Sequence, residues 1–597
     1  MATHDTDVQI SICGSAGDGT IAAGDLLKQA MAHAGYRVIA FNTYPAEIRG
    51  FGKCIARTRI STEQVYSMKP RSDVLISLND AHAIPHVGEV RDYGSVIYES
   101  APITRLAEGQ HISGHVRPGQ LPYGLPLREL SERATGSNRS RNMVALGFLA
   151  GLYAMPREVF HAAIKAKFKT KPKAVSEATI AAFEAGLEVG AQTHRFDLVE
   201  LGEPPESLPG NVQILSGNAA VAKGCIEGGL DNYFGYPITP ATTIMERLAH
   251  DLPVHGKRML QTEDEIAAIS GAVGAGFAGA RAATATSGPG LALMGEMLGL
   301  GVMAEVPCVI FVSQRGGPST GLPTKTEQSD LNIAVHGGAG DAKRIVLAPT
   351  NVEGCWRCAG KAFEMAEAYQ TPVIVLLDLY LSNRFESVNF DPDENFNLSI
   401  PRGKPKHRPG ESFRRYQVTD SGVSPRSVPG EADGLHPATG LEHDEFGHPS
   451  YEADVHTAMS KKRHDKLNKA LKHPAITISK RFGDTGKVDV GILAWGSTFG
   501  EGLEAMMLAR KEGIRCAAMK VVMLSPLPEA EISAFMDDCD EVLVPELNFE
   551  GQFANLVSGT LGRPLHRLNE VTGHPMSVSA ILDQVRALAA HNARNAA

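Results

Sequence analysis

The stretch Thr262-Glu263-Asp264-Glu265 puts three carboxylates at the mouth of a segment, IAAISGAVGAGFAGA, that carries no charge until Arg281. Two roles fit these acids. Thr262 and Glu265 stand three apart, so Glu265 can complete a capping box, and acids at a helix start are favoured by its dipole. Alternatively, Ala267, Ala268, Gly271, Ala272, Gly274 and Gly276 let this helix approach neighbouring backbone closely, so that its start lies deep. A carboxyl carried into such a place can share a proton. The run of small residues tilts the reading towards the second role.

Two other segments supply complementary groups. GYPITPATT sets Thr239 between two prolines after the apolar stretch DNYFGY. Thr239 reads as a helix N-cap with Pro240 at the first helical position. The same rigid turn, at the carboxyl end of a strand, is where open α/β sheets bind ligands. In FVSQRGGPSTG, Arg315 directly follows a buried strand and has glycines beside it. A guanidinium fixed there can grip a carboxylate through two hydrogen bonds.

Other clusters have plainer readings. Gly17-Asp18-Gly19 follows the strand VQISICG, with Asn42 further on, and evokes the Gly-Asp-Gly…Asn-Asn motif that holds magnesium in thiamine-diphosphate enzymes. Thr43 stands where the second Asn belongs, so the turn reads as phosphate-friendly rather than as a metal site. Cys355-Trp356-Arg357-Cys358 is a lone CxxC, whereas zinc or an iron–sulfur cluster takes about four ligands. These thiols read as buried on a helix leading to PVIVLLD. The segment EHDEFGHPSYEADVH holds His443, Asp444, Glu445, His448 and His456 without HExxH spacing, and reads as turns or an interface. KKRHDKLNKALKH reads as a solvated helix face. No metal site is assigned to this chain.

The elements that must position these groups follow from patterning. At 597 residues the chain is too long for one core. A net charge of −9 argues against a nucleic-acid binder. MATHDTDVQ lacks the regions of a signal peptide, and Glu296 and Glu305 break the longest apolar run short of a membrane span. Eight scattered cysteines suit a reducing compartment, so a soluble, cytoplasmic protein is expected. Short apolar runs alternate with helix-period segments, the pattern of parallel sheets with crossover helices. VQISICG, YRVIAFN, DVLISLN and SVIYES read as strands of a unit over 1–195, closed by the helices RNMVALGFLAGLYAM and EATIAAFEAGLEVG. A proline-rich linker over 196–210 leads to a second α/β unit, 211–385, with strands at ATATSG, PCVIFVSQRG, RIVLAPT and PVIVLLD. A polar segment, 386–486, precedes a third unit, 487–597, with strands VDVGILAWG, AAMKVV and EVLVPE. The fold class is therefore α/β, with three parallel-sheet domains.

Read together, GYPITP, EDEIAAISGAVGAGFAGA, TATSGPGLALM and SQRGGPSTGLPTKTEQSDL resemble the α subunit of the 2-oxoacid:ferredoxin oxidoreductases, most nearly the 2-oxoglutarate enzymes. GVSPRSVPG, TGLEHDEFGH and MSKKRHDKL are similar to that family's interdomain stretch. LAWGSTFGEGLEA, LSPLP and ELNFEGQFANL are similar to its transketolase-C-terminal-like domain. GSAGDGTIAAGDLL, YPAEIRGFGKC and RNMVALGFLAGL resemble its γ unit, here fused ahead of α. One departure is that the γ family usually has Gly-Gly-Gln-Gly where this chain has Gly-Asp-Gly.

The resemblance implies oxidative decarboxylation of a 2-oxoacid with coenzyme A, by way of thiamine diphosphate. Glu265 is then the carboxyl that pairs with the cofactor's aminopyrimidine, with Tyr236, Pro237 and Ile238 beside the ring. Thr239 and Arg315 hold the 2-oxo-carboxylate end of the substrate. The turn carrying Gly14, Gly17 and Gly19 lies near coenzyme A. Mg²⁺, the cofactor's diphosphate and a [4Fe–4S] cluster belong to a separate β subunit, in an (αβ)₂ or larger assembly that reduces ferredoxin. Pyruvate or an aryl 2-oxoacid in place of 2-oxoglutarate stays open, as does a non-catalytic scaffold that binds a redox partner.

Overall fold

Runs rich in β-branched and aromatic residues build three sheets. The computed structural model describes residues 7–43, 52–101, 111–195, 201–204, 212–391, 394, 396 and 412–596. Most of the expected linker over 196–210, and most of YPAEIRGFGKC, lie outside the described residues. The chain divides into two units, Met1–Leu215 with Arg384–Pro392, and Ser216–Asn383 with Asp393–Ala597.

The first unit is built on β1 (Asp7–Ser15), β2 (Arg37–Thr43), β3 (Lys53–Ser61), β4 (Ser72–Ser77), β5 (Val90–Glu99), β6 (Leu121–Leu125) and β7 (Val212–Ser216). A returning strand, Phe385–Asn389 (β14 in chain order), inserts to give the order β6-β5-β4-β1-β3-β2-β14-β7. From β6 to β1 the strands run parallel, while β3 is antiparallel to both β1 and β2. The sheet is thus mixed rather than wholly parallel. The strand KCIARTRIS escapes a search for apolar runs because Arg57 and Arg59 interrupt it. Both project to one face and are paired, Arg57 with Glu89 at 2.9 Å and Arg59 with Asp7 at 2.8 Å. The two helices expected to close the unit, Arg141–Leu152 and Lys173–Gln192, cross backbone to backbone. A Cβ at Gly147 would lie 1.9 Å from the Phe183 carbonyl oxygen, so only glycine permits that approach.

In the second unit, β8 (Asn232–Gly235), β9 (Arg258–Gln261), β10 (Ala282–Thr286), β11 (Cys308–Gln314), β12 (Ile345–Leu347) and β13 (Pro372–Asp378) all run parallel. A third sheet holds β15 (Ser479–Gly483), β16 (Val488–Ala494), β17 (Cys516–Val521), β19 (Cys539–Glu546) and β20 (His566–Asn569), in the order β15-β17-β16-β19-β20. The remaining strand, β18 (Met523–Ser525), leaves this region to pair antiparallel with β12. The second sheet therefore has the order β18-β12-β13-β11-β10-β8-β9. One apolar core runs across both sheets and includes Ile269, Val312, Trp495 and Phe553.

Within the described part of the polar segment, the helix read as a solvated face is not solvated along its length. On the helix Ala453–Asn468, Lys462 and Lys466 are buried and ion-pair with the fully buried Glu305 at 2.6 and 2.7 Å. Arg415 donates to the Glu305 carbonyl at 2.8 Å. The expectation of a solvated face fails because an acid displaced from an apolar run needs cations brought to it. The histidine-rich segment makes turns: Asp444 accepts the amides of Phe446 and His448, and His443 lies buried with Nδ1 on the Leu441 carbonyl. Cys355 and Cys358 are buried on the helix Val352–Tyr369, and all eight cysteines are buried and outside any disulfide. No helix among the described residues is long and apolar enough to cross a membrane.

Candidate active site

Because β9, β8, β10 and β11 are adjacent and parallel, their carboxyl ends open on one edge. Tyr236–Thr239 follows β8, Thr262–Glu265 follows β9, Ser287–Gly290 follows β10 and Arg315 follows β11. Crevices at such strand ends are where open α/β sheets take ligands.

The three acids of the opening motif separate there. Glu263 is exposed and Asp264 half-buried, whereas Glu265 is 6% exposed. Asp264 is the N-cap of the helix Glu265–Phe277, its Oδ1 accepting the Ala267 amide at 2.7 Å, and Thr262 donates to the Asp264 carbonyl. The capping box is therefore not formed, and Glu265 is the first helical residue. Its carboxylate takes no hydrogen bond from the described residues. It rests against the next turn: a Cβ at Gly290 would lie 2.7 Å from both Cγ and Oε1 of Glu265. The expectation of small residues along this helix holds at Gly276, which meets the Pro307 carbonyl, and not at Gly274, where a Cβ would meet nothing.

Thr239 also departs from its capping role. The following helix, Thr242–Asp251, starts after Ala241 and has no side-chain cap. Thr239 and Pro237 are exposed, Tyr236 is 38% exposed and Ile238 half-buried, so this turn forms a rim. Asn218, buried at the start of the helix Gly217–Glu227, fixes the turn by donating to the Pro240 carbonyl and to Thr243 Oγ1 at 2.8 and 2.7 Å. Asparagine in GNAA carries no catalytic signature, which is why sequence reasoning passed over it.

Arg315 joins the β8 and β11 ends: its Nη1 donates to the Thr239 carbonyl at 2.7 Å. The guanidinium is 7% exposed, and burial pulls its pKa down while Asp330 and Glu265 oppose the shift. The loop after it returns through Gln328, Ser329 and Asp330, held by the third sheet. Gln328 exchanges two backbone-directed hydrogen bonds with Leu547 and donates from Nε2 to the Trp495 carbonyl at 3.0 Å. Asn548 donates to the Gln328 carbonyl, and Gln552 to that of Ser329. Glu546 caps the helix Gln552–Leu561 by accepting the amides of Phe553 and Ala554. These contacts explain why LAWGSTFG and ELNFEGQF stand out in the sequence: they grip the loop that carries Arg315.

In the first unit, Gly14 is the last residue but one of β1, and Gly17 and Gly19 shape the turn into the helix Thr20–His33. Asp18 is engaged within this turn, accepting from the Ser15 amide at 2.7 Å and from Arg141 at 2.5 Å. Asn42 sits on β2, which β3 separates from β1. The magnesium pattern is accordingly not assembled. Among the described residues no group of three His, Cys, Asp or Glu side chains could hold a metal ion.

A buried carboxyl that takes no hydrogen bond from the described residues, with an anchored guanidinium within reach of its charge, can exchange a proton with a ring nitrogen and seat an anion. Residues 9–189 match the family described as pyruvate ferredoxin/flavodoxin oxidoreductase, residues 223–462 its thiamine diphosphate-binding domain, and residues 488–581 the pyruvate:ferredoxin oxidoreductase core domain II. The chain is 32% identical to the 2-oxoacid:ferredoxin oxidoreductase 2 subunit alpha of Aeropyrum pernix, over 96% of each chain. It is 33% identical to the 2-oxoglutarate oxidoreductase subunit KorA of Mycobacterium tuberculosis, over 97% of this chain and 90% of that one. A solved structure of the 2-oxoglutarate:ferredoxin oxidoreductase from Magnetococcus marinus, with 2-oxoglutarate, coenzyme A and succinyl-CoA bound, superposes with a TM-score of 0.91 at 36% identity, covering 98% of this chain and 100% of that one. With its strand-end carboxyl, its thiamine diphosphate-binding domain and a γ-like domain fused ahead of it, the chain belongs to the 2-oxoacid:ferredoxin oxidoreductases, as an alpha subunit.

Proposed function

We propose that this subunit, joined to a β subunit, oxidatively decarboxylates 2-oxoglutarate with coenzyme A to succinyl-CoA. Electrons pass to a [4Fe–4S] centre on β and then to ferredoxin. The observation that carries the reading is the burial of Glu265 at the end of β9, against Gly290, where its charge acts on Arg315. The choice of substrate rests on the full-length likeness to the 2-oxoglutarate enzyme of Magnetococcus marinus.

The donor set fits the cofactor. Glu265 offers a carboxylate that takes no hydrogen bond from the described residues, at a turn where Gly290 leaves no side chain in the way. Bound thiamine diphosphate supplies nucleophilic addition to the 2-oxo carbon and an electron sink for loss of carbon dioxide. Glu265 holds the proton shared with the ring nitrogen, while Tyr236, Pro237 and Ile238 flank the ring. Arg315 draws in the substrate carboxylate and Thr239 presents a hydroxyl to its 2-oxo end. The diphosphate and Mg²⁺ fall to β, in an (αβ)₂ or larger assembly. The domain at 1–195 is the γ unit, its Gly14, Gly17 and Gly19 turn lying near coenzyme A. The domains at 211–385 and 487–597 are the pyrimidine-binding and transketolase-C-terminal-like domains, joined by 386–486, and the complex works in the cytoplasm.

The test is a steady-state assay of the copurified αβ complex with 2-oxoglutarate, pyruvate and phenylglyoxylate, following coenzyme A-dependent ferredoxin reduction. The reading expects the highest kcat/KM with 2-oxoglutarate. A preference for pyruvate or phenylglyoxylate would move the substrate assignment, and activity of β without this chain would make the chain a scaffold.

A further inference from the structure

A second carboxyl stands at the same edge. We propose that Asp330 is a positioning residue that sets, through Arg315, how strongly this site holds a carboxylate. The substrate in this inference rests on the function proposed above.

Asp330 is placed rather than loosely tethered. Its amide donates to Gln314 Oε1 at 3.0 Å, and the two residues before it are held by Asn548 and Gln552. Its carboxyl lies against the turn after β10, where a Cβ at Gly288 would come within 2.4 Å of Oδ1 and 2.6 Å of Oδ2. Oδ2 is buried without a hydrogen-bond partner. The turn SGPG is thus flanked by two carboxyls, Asp330 over Gly288 and Glu265 over Gly290. The charged groups acting on Asp330 are Glu327 and Arg315, both on the loop after β11. The turn after β10 brings none, and Gln314 and Gln552 are neutral.

A buried carboxylate with an unsatisfied oxygen is costly, and its neutral form much less so. Burial, reinforced by the Glu327 charge and opposed by Arg315, pushes the Asp330 carboxyl up to about 7. Below that pH Asp330 is neutral and the Arg315 charge is left for an incoming anion. Above it, the ionised Asp330 compensates Arg315 from within the protein, and a bound carboxylate meets a like charge. Carboxylate binding and proton uptake by Asp330 are therefore linked, and each favours the other.

Two measurements on the αβ complex test this. In the wild type, KM for 2-oxoglutarate should rise about five- to tenfold between about pH 6 and pH 9, with the change appearing in KM rather than kcat. In Asp330→Asn the KM should stay at its low-pH value throughout. A slope in Asp330→Asn equal to wild type, or a KM raised at every pH, would overturn the proposal, the latter because it marks a residue that merely orients Arg315. Infrared titration supplies the second reading and needs no turnover. The wild type should lose a protonated-carboxyl band as pH rises through about 7, Asp330→Asn should lack that band, and saturating acetate against a chloride control should move the midpoint upward. An absent band or an unmoved midpoint sinks the inference. A complex that turns over no 2-oxoacid but passes the infrared test contradicts the functional reading and leaves this one standing.

Discussion

Arg315 owes its position to a backbone oxygen. One of its terminal nitrogens is bound to the Thr239 carbonyl, so the guanidinium bridges two strand ends, while Nε lies buried without a hydrogen-bond partner. A lysine has a single point charge and cannot both hold that carbonyl and present a planar fork. Arg315→Lys should raise KM for the 2-oxoacid about 10–100-fold, the scale of a lost hydrogen bond to a charged group, as read by steady-state kinetics. An unchanged KM would place the substrate carboxylate elsewhere. At this scale the sequence was informative about residue type and strand-end position, which singled out Glu265, Thr239 and Arg315. Which acid caps the helix was hidden, because Thr262, Asp264 and Glu265 all have capping chemistry and only the backbone decides between them. Asp330 and Asn218 were hidden for a different reason: their roles depend on neighbours far off in the chain.

The elements meet at the turn after β10. Gly288 and Gly290 let two carboxyls approach the backbone, and a side chain at either position would push one aside. Gly290→Ala would bring Cβ to 2.7 Å from Glu265 and 2.0 Å from Thr286 Oγ1. A displacement of Glu265 by about an ångström should lower kcat about 100-fold, for an overpacking cost to stability of only about 1–3 kcal/mol. Turnover and denaturant unfolding of the same preparation check this, and full activity would mean that the placement of Glu265 is not critical. Strand identity in the second unit was legible because runs such as CVIFVSQ and PVIVLLD are apolar and buried on both faces. The antiparallel β3 was not, since its paired arginines read as surface. Nor was β18, a short strand that leaves the third domain to join the second sheet.

Across the molecule, the helix Ala453–Asn468 carries Lys462 and Lys466 into the interior. Burial would raise the Glu305 carboxyl, but Lys466, Lys462 and Arg415 hold it well below the usual carboxylate range. Its stabilising contribution is therefore present above the ordinary value of 4.5 and is lost as pH falls below it. Glu305→Gln leaves two buried ammonium groups without their acid and should cost about 3–5 kcal/mol at neutral pH, with the gap to wild type narrowing on acidification. Equal unfolding curves for the two proteins would return the helix Ala453–Asn468 to the solvent. Charge alone could not reveal this arrangement, because pairing over such a sequence distance is a property of the fold.

The most direct measurement of the central claim is made on Glu265→Gln copurified with its β subunit. Thiamine diphosphate should be retained while coenzyme A-dependent turnover of the 2-oxoacid falls about 10²–10⁴-fold. Turnover near that of the wild type would contradict it and leave Glu265 as no more than the first residue of its helix.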